Sequence, residues 1–243
     1  MRFPRALAAV VVAAAMSTAR AAEAPLRVVM LSGSGEYKSD ESLPAFARRL
    51  EAAFNVKATV LQAQGENEIP GLEALDACDV MLLFTRRIKL GGDQLERFRK
   101  YCLAGRPIVG IRTASHAIQT WLELDREVFG GNYKGHYGSG ARQTVALHPD
   151  AKGHPVLEGV KGFESDYSLY KTAPLAADAT LLMTASTPQA AAAEPAAWVR
   201  EYKGARIFYT SLGGPADFEE PSFRQLLTNA LFWAARRKVE PKP

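Results

Sequence analysis

The chain has 243 residues, and 30 Lys and Arg against 26 Asp and Glu give it a formal net charge of +4. Three of the cations, Arg2, Arg5 and Arg20, lie at the N-terminus, so the remainder is close to neutral. The pI of about 9.1 therefore does not mark a nucleic-acid binder.

The N-terminus reads as an export signal. Arg2 and Arg5 form a basic start, Ala6 to Met16 an apolar stretch, and Ala19-Arg20-Ala21 a small-x-small pattern before a cut at Ala22. The apolar stretch is shorter than the roughly 20 residues of a membrane span, and no later segment is long and apolar enough to be one. The expectation is a signal peptide over 1–21, then one α/β domain over 22–243, periplasmic or secreted and free of the membrane after cleavage. About 220 residues bury a core large enough to need no staples.

Apolar β-branched runs then alternate with helical patterns. Leu26 to Leu31 reads as a strand that ends in Ser32-Gly33-Ser34-Gly35. Pro44 to Phe54 reads as an amphipathic helix, with Ser39 or Asp40 as its cap and Pro44 in its first turn. Val56 to Leu61 and Asp79 to Phe84 are strands, the second apolar throughout as a buried parallel strand is. Asp93 to Leu103 is a helix. Pro107 to Ile111 is a strand entering a turn at Arg112-Thr113 and a helix from about Ser115. Such alternation predicts right-handed crossovers and a mostly parallel sheet flanked by helices on both faces. Ligands in such sheets bind beyond the carboxyl ends of the strands. Cys78 and Cys102 fall at the opposite, lower edge, where the reading favours two buried free thiols over a bridge.

From Phe129 the texture changes. Gly130 to Gly138 is a glycine- and aromatic-rich loop. Arg142 to Leu147, Thr180 to Met183, Ala197 to Tyr202 and Arg206 to Tyr209 read as further strands, the last two joined as a hairpin at Lys203-Gly204. Ser222 to Arg237 is a terminal helix whose core face carries Phe223, Leu226, Leu227, Leu231 and Trp233.

The chemistry-bearing residues gather near the strand ends. The turn Gly110 to His116 is placed like a nucleophile elbow, but Arg112 holds the elbow position and an arginine cannot be a nucleophile. Its fork of donors suits a carboxylate or a polyol. Ser115 and His116 are neighbours in sequence, which on a helix sends their side chains about 100° apart. Ser115 is therefore read as a cap rather than a nucleophile. His136, between Tyr133 and Tyr137, fits either a sugar-facing group or a loop residue. His148 and His154 precede prolines and read as turn residues. Arg86 and Arg87 follow the third strand; one points into the cleft, or both are solvated with Lys89. Ser32 to Glu36 lacks the third glycine of a dinucleotide loop, since Lys38 stands there, so no nucleotide cofactor is expected. His116 and His136 with Glu36, Asp166 or Glu201 lack metal-ligand spacing, and no metal is assigned.

Pro195 to Tyr202, Gly204 to Gly213 and Phe223 to Trp233 carry a family resemblance, supported by Gly110 to His116, Gly130 to His136 and His154 to Val160. In these segments the chain resembles the ThuA-like (trehalose-utilisation) family of the class I glutamine amidotransferase-like superfamily. The resemblance implies a flavodoxin-like core with a cleft over the strand ends, and a link to sugar metabolism, trehalose and keto-sugars included. Two positions depart from the family pattern. Gly213 and Gly214 stand where a histidine often follows Ser-Leu-Gly, and Ser168-Leu169 replaces the acidic residue before Tyr170. The resulting expectation is a carbohydrate held by Glu36, Arg112, Tyr170 and Trp198, with His116 or His136 as acid/base. A metal-assisted hydrolase or lyase and a non-catalytic interaction module are the alternatives, and an oligomer is left open.

Overall fold

The computed structural model describes residues 24–138 and 141–242. The expected signal peptide and its cleavage point lie outside the described residues. Nine strands form a single sheet: β1 (Leu26–Gly33), β2 (Val56–Gln62), β3 (Val80–Thr85), β4 (Ile108–Ile111), β5 (Gln143–Leu147), β6 (Phe163–Ser165), β7 (Thr180–Ser186), β8 (Glu194–Tyr202) and β9 (Ala205–Thr210), in the spatial order β2-β1-β3-β4-β9-β8-β7-β5-β6. Among the described residues three α-helices accompany it: α1 (Ser39–Ala53), α2 (Gly92–Leu103) and α3 (Pro221–Ala234).

The sheet is mixed, which corrects the expectation of a mostly parallel one. β2, β1, β3, β4 and β9 run parallel to their neighbours, whereas β9-β8, β8-β7, β7-β5 and β5-β6 pair antiparallel. The cause is the connections. A parallel neighbour needs a long crossover, usually a helix. Between β4 and α3 no α-helix occurs among the described residues, so β5 to β9 return by turns. The tightest of these is Lys203-Gly204, both at positive φ, as a two-residue hairpin requires.

Alternate residues of β1 feed two cores. Leu26, Val28 and Met30 pack with Leu43, Phe46 and Leu50 of α1 and with Phe223 and Leu226 of α3. Val29 and Leu31 face the other side, with Phe98, Tyr101 and Cys102 of α2 and with Trp121 and Phe129. Both faces are thus covered, as the apolar run of β3 requires. Helix α1 starts earlier than its apolar spacing suggests, so Pro44 lies inside it rather than in its first turn. Ser39 opens the helix, and its Oγ accepts the Ser34 amide at 2.7 Å and the Ser32 hydroxyl at 2.9 Å. That ties the loop after β1 to the helix. Cys78 and Cys102 are buried free thiols whose pKa values burial pushes up. No helix among the described residues is long and apolar enough to cross a membrane.

Candidate functional site

The carboxyl ends of β1, β3 and β4 meet around the segment Arg112–His116. This segment is a short 3-10 turn, not the start of an α-helix. An α-helix would need the Arg112 carbonyl to accept the His116 amide. Instead that carbonyl accepts the Tyr209 hydroxyl at 2.6 Å and the Ser115 hydroxyl at 3.3 Å. Arg112 itself sits at φ 45°, the bend that turns the chain off the strand.

Arg112 is fully buried and does not present its fork to a ligand. Its guanidinium donates to the Ser211 carbonyl at 2.8 Å and the Ser168 carbonyl at 3.1 Å, and its carbon lies 4.4 Å from the Tyr37 ring centre and 4.5 Å from that of Tyr170. It is a strut that pins the ends of β4 and β9 to the 167–170 segment. The expected ligand anchor is corrected accordingly: both terminal nitrogens are taken within the protein, and the remaining Nε is buried without a hydrogen-bond partner rather than open to a ligand.

His116 lies beside this strut. Its ring stacks on Tyr133 with centroids 4.6 Å apart and planes at 17°. Its Nδ1 is 3.0 Å from the Ser115 hydroxyl, so the two neighbours do meet, because the turn does not splay them as an α-helix would. Burial, then the charges of Arg87, Arg86 and Arg112, push the imidazole pKa down to about 3. It is neutral at physiological pH. The Arg87 amide donates to the His116 carbonyl at 3.0 Å and the Ile88 amide to the Ala117 carbonyl at 2.8 Å, which clips the end of β3 to the turn.

Asp125 opens a single π-helical turn, Asp125–Phe129. One carboxylate oxygen accepts the Tyr133 amide at 2.8 Å. The other, Oδ1, is buried without a hydrogen-bond partner. A side chain at Gly131 would put its Cβ 2.5 Å from that oxygen, so only glycine fits there. Burial raises the carboxyl pKa to about 6, against the opposing pull of the Tyr133 amide and of Arg126.

Arg87, Ser115, His116, Asp125, Arg126 and Tyr133 line one cavity of about 560 Å³, together with Gln119 and the exposed Leu122. It lies beyond the carboxyl ends of the strands, where ligands of open α/β sheets bind. A larger cavity of about 850 Å³ sits at the opposite edge, by Arg27, Cys78 and Asp79. Its Arg27 and Asp79 already satisfy one another at 2.7 Å, and it lies at the wrong end of the strands for this fold.

Of the other expected site residues, Tyr170 is buried behind Tyr133, ring centroids 4.6 Å apart. Glu36 is exposed and pairs with Arg86 at 3.0 Å. His136 is exposed, with Nδ1 2.8 Å from the Tyr137 carbonyl; since a carbonyl only accepts, Nδ1 carries a proton. Trp198 is buried, its indole N–H donating to the Phe129 carbonyl at 2.7 Å and its ring 4.4 Å from that of Tyr209. It belongs to the core and has no face for a sugar. The structure thus joins His116, Arg112 and Tyr170, places Trp198 beneath them, and keeps Glu36 and His136 out of the cavity lining. Asp125 was missed. Glu123, Asp125 and Glu127 alternate along the sequence like a solvated acidic face, and only the glycine at 131 hints at a buried neighbour. Among the described residues no three His, Cys, Asp or Glu side chains gather as metal ligands would.

The family model for ThuA, trehalose utilisation, matches residues 27–234. The chain belongs to the ThuA family. Similar solved structures include a ThuA-like protein of Parabacteroides merdae, at TM-score 0.67 and 20% identity over 90% of this chain and 93% of that one. A ThuA-like protein of Bacteroides uniformis gives TM-score 0.66 and 16% identity over 89% and 94%. A GMP synthase protein of Thermoplasma acidophilum gives 0.57 and 15% over 88% and 96%. At such identities the likeness is one of fold, and it is the expected glutamine amidotransferase-like one. No curated protein matches the chain. In this ThuA-family chain the departure at Gly213 and Gly214 has a structural counterpart. Both amides donate to Asp217 Oδ2 at 2.8 Å, and a Cβ on Gly214 would fall 1.8 Å from the Tyr167 ring. Tyr167 occupies the room a side chain at 214 would need.

Proposed function

We propose that this ThuA-family protein binds and processes a sugar or keto-sugar in the cavity between Asp125 and His116, as an exported protein. The observation that carries the reading is that two differently tuned groups line one cavity, each in contact with Tyr133. Asp125 titrates near pH 6, close to where a proton donor or acceptor works best, and His116 stays neutral. A neutral imidazole can donate or accept a hydrogen bond without charge. Asp125 can then take a proton from a sugar hydroxyl, or from the carbon beside a keto group, and return it. Tyr133, whose hydroxyl burial holds protonated, supplies a further donor. The family's link to trehalose utilisation supports a carbohydrate, and the N-terminal pattern over 1–21 supports export.

The test is a thermal-shift and turnover screen of the wild type, Asp125→Asn and His116→Gln against neutral sugars, keto-sugars and sugar acids. A ligand at a hundred times its dissociation constant adds about 2.7 kcal/mol of stability. We expect at least one sugar to stabilise the wild type, and Asp125→Asn to cut turnover at least a hundredfold. Equal binding and turnover in both variants would remove this cavity as the site. Silence from every sugar with folded wild type would favour an interaction module on the same fold.

A further inference from the structure

The three cations that follow β3 have different fates. Arg86 pairs with Glu36 at 3.0 Å and Lys89 with Glu66 at 2.7 Å. Arg87, between them, makes no ion pair among the described residues, and it is the one that lines the cavity. Its backbone sits at φ 54°, a conformation that side chains other than glycine adopt only when the surroundings hold them there. The hold is the pair of amide bonds from Arg87 and Ile88 to the turn at His116 and Ala117. On the lining of the same cavity Arg126 donates to the Asn132 side-chain oxygen at 3.2 Å and likewise makes no ion pair among the described residues. Among the described residues the only acid on the lining is Asp125, which is buried against the Tyr133 amide. Two guanidinium groups therefore face a cavity whose one carboxyl does not pair with either.

We propose that the substrate is an anionic sugar, whose oxyanion is held by Arg87 and Arg126 beside the Asp125–His116 pair. This rests on the reading that a carbohydrate occupies that cavity. A sugar carboxylate and a sugar phosphate share the chemistry, since a guanidinium fork matches both. The arrangement has a second effect. Arg87 is the foremost of the charges that hold the His116 imidazole neutral. An anion seated on Arg87 cancels that charge, so His116 gains basicity when an acidic ligand is in place and not before.

The experiment is calorimetric titration with matched pairs: glucose against glucuronate, galactose against galacturonate, and glucose 6-phosphate as the phosphate arm. It is run at low and high salt on the wild type, Arg87→Gln and Arg126→Gln, with folding checked by circular dichroism. We expect the preferred anionic sugar to bind at least tenfold tighter than its neutral partner, and the advantage to shrink with salt. Either variant should lower the anion's affinity at least tenfold; the second keeps the test decisive if the first does not fold. Preference for glucuronate or galacturonate assigns a carboxylate, and preference for glucose 6-phosphate a phosphate. Equal affinity for neutral and acidic sugars, or an anion advantage that survives both substitutions, would overturn the proposal while leaving the carbohydrate reading intact. Binding of no sugar of either kind would instead overturn the carbohydrate reading beneath it.

Discussion

Asp125 and His116 line the same cavity and their pKa values are displaced in opposite directions, so their contributions to stability oppose one another. Asp125 keeps its proton to about pH 6 in the folded state, whereas an unfolded carboxyl loses it near 4. The folded protein binds more protons in that window, so the Asp125 contribution is fully present below pH 4 and is lost as pH rises through 6. His116 binds fewer protons when folded than when unfolded. Its contribution is present above about pH 6.5 and is lost as pH falls toward 3. Denaturation of wild type and Asp125→Asn at pH 4 and pH 8 separates the two. The variant should gain on the wild type as pH rises, by up to about 3 kcal/mol. A difference that stays flat with pH would show that the Asp125 carboxyl is not held protonated. Residue types at the site were legible in the sequence: Arg112 stood out at the elbow, and His116 at the strand end. Their orientation was not, since the groups that capture Arg112, at Ser168 and Ser211, lie 56 and 99 positions away.

Strands β1 to β4, helices α1 to α3 and the Lys203-Gly204 hairpin follow the periodicity and turn chemistry of the sequence to within a few residues. The elements that escaped are those fixed by distant partners. The helix expected after Arg112 is cut to a single turn because Tyr209 takes its first carbonyl. The three-residue β6 is too short to show a period, and it exists because β5 pairs with it. The segment after β9 shows the same dependence. Gly214 has an ordinary φ of −66°, so its need for glycine comes from the Tyr167 ring and not from backbone strain. Gly214→Ala should destabilise the fold by about 1–3 kcal/mol, the cost of overpacking a filled site. Adding Tyr167→Ala should recover most of that loss. Equal penalties in the two backgrounds, measured by urea denaturation, would sever the link between these positions.

On the scale of the molecule, the ThuA-family fold places its chemistry by topology. Both guanidinium groups on the cavity lining, the tuned carboxyl and the neutral imidazole lie within residues 87–133, between the end of β3 and the loop before β5. The antiparallel strands contribute no group to the cavity lining; Trp198 and Tyr209 instead hold the Phe129 and Arg112 carbonyls of the segments that carry it. A reading from strand-helix alternation extends the parallel pattern across the whole sheet, because turns between antiparallel strands leave a weaker sequence mark than helical crossovers.

The seam between the two halves of the sheet is the pairing of Ile108–Ile111 with Ile207–Thr210. Those partners are separated by 99 positions, and among the described residues no other strand pair joins the halves. Closing so long a loop costs entropy before any contact repays it, and non-local pairing slows folding. The hairpin of β8 and β9 needs only local contacts and can form first. In stopped-flow refolding, Val199→Ala, within that hairpin, should slow the folding limb, whereas Val109→Ala, at the seam, should chiefly speed unfolding. The reverse pattern would mean that the seam is the nucleus. The turn that carries His116 takes its shape from the Tyr209 hydroxyl across this seam, so ligand capture should be a late event in the life of each newly made chain.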